Sequence, residues 1–152
     1  MKNSNIRLVK STMTRATETA NIILKQLPEL EQASCDLLRE GAPCIPDPPT
    51  ESWAPHPADF FQEGARIEAA FRKYFHRAEP SQDTTSVDIL VCHGNVIRYC
   101  ACRALQCDPR GWLNMSVHNG SISVFIIKPS GTVILRELGG AGHFHPDMLT
   151  FN

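Results

Sequence analysis

The sequence predicts an α/β fold, and three observations carry that prediction. Strand-like runs alternate with helical patterns up to residue 105, one strand-like run passes straight into a helix at Ser11, and Val87-Asp88-Ile89-Leu90-Val91-Cys92 is a near-continuous apolar run. Alternating strand and helix patterns are the mark of a sheet covered by helices. A continuous apolar run is the pattern of a strand buried on both faces.

Ile6 to Lys10 is predicted as the first strand, with Ile6, Leu8 and Val9 as its apolar content, and Ser11 as the N-cap of the helix that follows. Met13, Ala16, Ala20, Ile23, Leu24 and Leu27 then recur at helical spacing until Pro28, an amphipathic helix of about four turns with Arg15 off the apolar stripe in its first turn. Cys35 to Leu38 is predicted as a second short strand, after which Arg39-Glu40-Gly41 turns the chain outward. Residues 43–57 hold six prolines, and proline lacks a backbone donor and fixes φ, so a stiff loop is predicted there. The loop begins three residues after Glu40 and precedes a helix, which suits a flap beside a site.

Phe60, Gly64, Ile67, Phe71, Tyr74, Phe75 and Ala78 trace the next helical face, an aromatic stripe directed at the core. The apolar run of 87–92 ends at His93, and Gly94 with Asn95 opens a helix carrying Val96, Ile97, Cys100, Ala101, Ala104 and Leu105 before Asp108-Pro109. Ser121 to Ile127 and Thr132 to Leu138, joined by Lys128-Pro129-Ser130-Gly131, predict a β-hairpin, with Asn119-Gly120 as the turn before it. Trp112 is expected in the core, and Trp53 either at a substrate mouth or against the body. The tail from Gly139 to Asn152 is expected to pack on a second subunit or to fray.

With 152 residues the chain suits one domain with a single core. A net charge of −1 and the lack of a basic stripe argue against nucleic acid as a partner. The apolar runs are too short to cross a bilayer, and the first residues show no signal-peptide core. Six cysteines are expected as reduced, packed thiols: there is no Cys-x-x-Cys, and Cys100 and Cys102 point to different helix faces. His143 and His145 bring no third ligand, so no metal is predicted.

In open α/β sheets, ligands bind beyond the carboxyl ends of the strands, where helix N-termini converge. Arg15 and His93 both fall there. An arginine in a first helical turn opposes the dipole unless an anion lies nearby, so the pair points to phosphate.

Three segments sharpen this: Ser11-Thr12-Met13-Thr14-Arg15-Ala16-Thr17-Glu18-Thr19-Ala20, Leu38-Arg39-Glu40-Gly41 and Val91-Cys92-His93-Gly94. Together they resemble the histidine phosphatase superfamily, in its phosphoglycerate-mutase-like branch. The likeness continues through Glu63-Gly64-Ala65-Arg66, Val96-Ile97-Arg98-Tyr99 and Arg103-Ala104-Leu105-Gln106, and points within the family to a mitochondrial serine/threonine-protein phosphatase. It implies a three-layer, phosphoglycerate-mutase-like sandwich forming one incomplete domain over 1–152. It implies phosphate contacts from Arg15, His93 and Gly94, and catalytic roles for Glu40, as proton donor and then base, and for His93, bonded to the phosphoryl oxygen in the transition state. It further implies phosphoprotein substrates, no metal or other cofactor, and dephosphorylation through a phosphohistidine. Homo-oligomers or pairing with a full-length homologue, a mitochondrial location, and membrane attachment only through an N-terminal segment absent here complete the expectation.

The nucleophile of that family stands in an Arg-His-Gly motif on a first strand that would lie before Met1. No Arg-His-Gly occurs in the 152 residues. The first strand and nucleophile are therefore expected to be missing, leaving open strand edges and a chain without turnover. Two rival readings stay open: a non-catalytic phosphoprotein-binding or regulatory protein, and a small-molecule phosphatase or mutase.

Overall fold

A computed structural model describes residues 5–151. Residues 1–4 and Asn152, the end of the tail, lie outside the described residues. The elements in chain order are β1 (Asn5–Ser11), α1 (Thr14–Gln26), β2 (Glu31–Cys35), α2 (Pro57–Tyr74), β3 (Ser86–Val91), α3 (Gly94–Ala104), β4 (Ile122–Ile127) and β5 (Val133–Gly140). Short 3-10 helices span Asp36–Leu38, Pro109–Asn114 and Pro146–Met148.

Strand β1 lies in the middle of a parallel sheet of order β2-β1-β3. Its consecutive residues Leu8 and Val9 are both buried, and successive strand side chains point to opposite faces. Leu8 packs with Ala16 and Ala20 of α1 and with Val91. Val9 joins Ile67 and Ala70 of α2 and Val96, Tyr99 and Cys100 of α3. Helices therefore cover both faces, which is the α/β three-layer arrangement expected. Alanines on the buried side of α1 let that helix lie close to the sheet.

Helices α2 and α3 are joined by a charged cluster. The Glu68 carboxylate accepts hydrogen bonds from Arg103 Nε and Nη2 at 3.0 Å each, from Arg72 Nε at 2.9 Å and from the Tyr99 hydroxyl at 2.8 Å. The Arg103 hydrogen bond, ahead of those from Tyr99 and Arg72, draws its pKa down to about 2. Strands β4 and β5 form an antiparallel hairpin of their own, and Phe125 meets Phe75, at the end of α2, edge-on at 5.1 Å.

The structure departs from the sequence expectations in four places. The second strand is Glu31–Cys35, and 36–38 is a 3-10 turn. The N-cap of α1 is Met13, with no side-chain cap bond, because β1 runs on through Ser11. Helix α2 starts at Pro57, since His56 and Asp59 close a capping box around it, and it ends before Ala78. Strand β3 is not buried on both faces: Val87 is 45% exposed, because β3 pairs only with β1 and its other edge is open among the described residues.

Truncating the centre of the core should be costly. Leu8→Ala is expected to lower the unfolding free energy by about 2–5 kcal/mol, read by urea denaturation. Val87→Ala, on the open edge, should change it by only about 0.5 kcal/mol.

Candidate active site

The parallel strands β1 and β3 end side by side, with Lys10 in register with Val91. Ser11 ends β1 and His93 lies two residues beyond β3, at 0% and 5% exposure. Ser11 Oγ and His93 Nε2 share a 2.8 Å hydrogen bond whose direction follows the imidazole tautomer. The same hydroxyl accepts the Met13 N–H at 3.3 Å, and the Ser11 carbonyl accepts from Thr17 Oγ1 at 3.4 Å. Ser11 thus ties the start of α1 to the histidine that precedes α3. Sequence reasoning missed this role, because a serine after a strand reads equally well as a helix cap.

Arg15 is the second residue of α1 and lines an open pocket of about 500 Å³ with Thr12, Thr14, Glu18 and Arg39. Arg39 appeared in the sequence only as a neighbour of Glu40. Its place in the same pocket puts two guanidinium groups around one space, a setting suited to an anion.

Glu40 is held in the irregular segment that follows the 3-10 turn. Its Oε1 accepts the Gly41 N–H at 3.1 Å and its Oε2 the Asn95 N–H at 3.4 Å. Asn95 lies in the first turn of α3, so the carboxyl group stands on a helix N-terminus, and Asn95 Nδ2 returns a 3.1 Å bond to the Gly41 carbonyl. Gly94, the first residue of α3, is buried between His93 and this contact.

Burial and charge pull in opposite directions here. Burial raises the Glu40 pKa above the ordinary carboxyl value and prevails over the Gly41 and Asn95 N–H bonds and the Arg15 and Arg98 charges, which lower it. Burial also pushes His93 down to about 4, with Arg15, Arg66 and Arg39 adding to the shift. At neutral pH the imidazole is therefore uncharged.

The proline-rich segment approaches the site through Trp53, which meets Phe60 edge-on at 5.8 Å and the fully buried Trp112 at 5.3 Å. Trp112 Nε1 donates to the Cys44 carbonyl at 3.0 Å, fixing the start of the segment. A second pocket of about 400 Å³, lined by Trp53, Trp112, Arg98 and Asn95, adjoins the Glu40 contact through Asn95.

Arg15, Glu40, His93 and Gly94 are thus gathered at the carboxyl edge of a parallel sheet. The model of the histidine phosphatase superfamily (branch 1) matches residues 45–137, a span that contains His93 and follows Arg15 and Glu40. The chain belongs to the histidine phosphatase superfamily. Phosphoglycerate mutase from Plasmodium falciparum is 31% identical with a TM-score of 0.64, the match covering 99% of this chain and 78% of that one. Alpha-ribazole phosphatase from Shigella flexneri, at 18% identity and a TM-score of 0.54, shares the fold. Serine/threonine-protein phosphatase PGAM5, mitochondrial, of Mus musculus is 54% identical over 144 residues, 95% of this chain and 50% of that protein. The protein of the same name in Caenorhabditis elegans is 49% identical over 155 residues, 99% of this chain and 55% of that protein. The chain therefore spans about half the length of the curated relatives it matches.

The candidate site carries an acid sensitivity of its own. An unfolded chain protonates its histidine near 6.5 and folded His93 does so near 4, so the unfolded state takes up the proton first as pH falls. The stability that His93 contributes is full above about 6.5 and is lost between about 6.5 and about 4. Glu40, with its raised pKa, works in the opposite sense, losing its contribution as pH rises through its folded value. Urea midpoints measured from neutral pH down to about 4 are expected to fall, and to fall less in His93→Gln. Equal slopes in the two proteins would place the sensitivity elsewhere.

Proposed function

We propose that these residues are the phosphate-binding and proton-transferring half of a serine/threonine-protein phosphatase that acts on phosphoproteins in the mitochondrion. The observation that carries the proposal is the gathering of Arg15, Glu40 and His93 at one sheet edge, in a chain 54% identical to a mitochondrial phosphatase of that class.

Each group suits one part of the chemistry. The Arg15 guanidinium offers two parallel N–H donors to phosphoryl oxygens, and Arg39 adds charge to the same pocket. Neutral His93 presents a single N–H toward an oxygen on which charge develops, and Ser11 selects the nitrogen that carries it. Gly94, without a side chain, leaves room for a phosphoryl oxygen to approach the start of α3. Glu40, kept more readily protonated by burial, donates its proton to the departing serine or threonine oxygen and then takes one from the attacking water.

The covalent step requires a nucleophilic histidine, and these 152 residues hold no Arg-His-Gly. In this reading they bind a phosphoprotein without turning it over. The nucleophile comes from outside them, in a longer chain or in an intact homologue within an oligomer. The same absence favours a second reading, a regulatory protein that docks on phosphoproteins and never completes the site.

A phosphoserine peptide should bind the chain in calorimetric titration while its unphosphorylated twin does not. Arg15→Ala is expected to weaken that binding at least about tenfold, the value of one charge-assisted bond. Phosphate release should stay at background and appear when the chain is extended at its amino end by a strand bearing Arg-His-Gly. Release by the short chain that is lost in His93→Ala would overturn the assignment of the nucleophile. Binding without release in either form would favour the regulatory reading.

A further inference from the structure

The motif Glu63-Gly64-Ala65-Arg66 lies on α2, outside the lining of the phosphate pocket, and has been given no role above. Its two charged side chains, three residues apart, share one face of the helix. Both reach the irregular segment that carries Glu40. Arg66 Nη1 donates to the carbonyls of Leu37 at 3.0 Å and Arg39 at 2.6 Å, and Arg66 Nη2 donates to the carbonyl of Glu40 itself at 3.1 Å. Glu63 Oε2 accepts the Ala42 N–H at 2.5 Å.

We propose that Glu63 and Arg66 are positioning residues, a clamp that fixes residues 37–42 and thereby sets where the Glu40 carboxyl stands. The proposal rests on the assignment of Glu40 as the proton donor of the site.

The segment has no ladder of its own to hold it. After the 3-10 turn of 36–38 there is no regular structure until α2, so its carbonyls need partners from elsewhere. One guanidinium supplies three of them, and a planar fork of five donors is the side chain suited to that task.

The two motifs also fit each other sterically. A Cβ on Gly41 would stand 2.6 Å from Arg66 Nη2 and 2.7 Å from Glu63 Oε2, so the clamp closes where only glycine leaves room. A Cβ on Gly64 would clash with the Pro43 carbonyl oxygen, so the helix backbone itself touches the residue that follows the segment. Leu38-Arg39-Glu40-Gly41 and Glu63-Gly64-Ala65-Arg66 are thus two halves of one device, separated by the proline-rich loop. The clamp is itself anchored: Ile67, next to Arg66, is fully buried in the core shared with Val9 and Val96.

Charge makes the placement expensive enough to need a function. Arg66 faces a region that already holds Arg15 and Arg39, and burial lowers its pKa, with the Glu63 carboxylate the largest effect opposing that. An arginine stands there with an acid to balance it, where a neutral donor would avoid the repulsion.

The test reads the position of the carboxyl group directly. In the wild-type chain the Asn95 amide donates to Glu40 Oε2, so its proton resonance should move as Glu40 titrates, and that movement should vanish in Glu40→Gln. The clamp predicts that it also vanishes in Arg66→Gln and is partly restored in Arg66→Lys. It should persist in Arg103→Gln, which breaks the Glu68 cluster and loosens α3 without touching the segment. An Asn95 titration unchanged in Arg66→Gln overturns the proposal. Should Arg66→Gln fail to fold, Glu63→Ala and Gly41→Ala give the same reading, since the first removes the acceptor of the Ala42 N–H and the second pushes on both clamp side chains. Arg15-dependent phosphopeptide binding, measured on the wild-type chain, is a separate outcome: its absence would overturn the phosphate reading and leave the clamp result standing.

Discussion

One buried hydrogen bond organises this molecule. Ser11 ends β1 and His93 follows β3, 82 residues apart in sequence, and their buried side chains meet beyond neighbouring strands of one sheet. Breaking that contact would strand a polar group in the interior, a cost larger than the bond's own net worth. Parallel strands always bring their carboxyl ends to one edge, and this bond fixes the geometry of that edge. Helix α1 starts from the Ser11 hydroxyl through Met13, and α3 starts from His93. Arg15 and Asn95 are placed by those two starts.

The surroundings of the edge show how a positive site is made tolerable. Arg15, Arg39 and Arg66 all act on one histidine, and the histidine stays neutral. A like charge added at the centre would be repelled by all three, while an anion would be attracted by them. Glu40 sits at the boundary, buried enough to resist ionisation and close enough to Arg15 and Arg98 to be drawn toward it. Such opposed influences keep a carboxyl group ready to exchange a proton. On the far side, the Glu68 cluster does the reverse, holding a carboxylate fully ionised among arginines to lock α2 onto α3. Similar residue types leave one carboxyl group more readily protonated and hold the other ionised, and the difference lies in burial.

Much of this could be read from the chain before the fold was known. Leu8 and Val9, the alanine stripe of α1 and the apolar run ending at His93 define the sheet and its functional edge, because burial imposes a period on the sequence. Gly131 and Pro129 mark the hairpin loop for reasons of backbone conformation alone. The second strand was not legible, because Glu31-Gln32-Ala33-Ser34 is exposed and carries no alternation; it is a strand only through its pairing with β1. Nor could the inward turn of Ser11 be seen, since a cap and a buried partner ask for the same residue. Arg66 was visible only as a motif. Its reach to a segment 26 to 29 residues earlier depends on a packing that no local pattern encodes.

The pairing of Trp53 with Trp112 gives the protein a built-in optical probe. These are the only two tryptophans in the chain, and they lie edge to face at 5.3 Å, one fully buried and one on the proline-rich loop. Intrinsic emission therefore comes from a single spot rather than from an average over the body. That spot borders the pocket next to Asn95, the residue whose backbone touches Glu40. Whatever lifts the loop separates the two indoles, so light emitted by the molecule changes with the place of the loop.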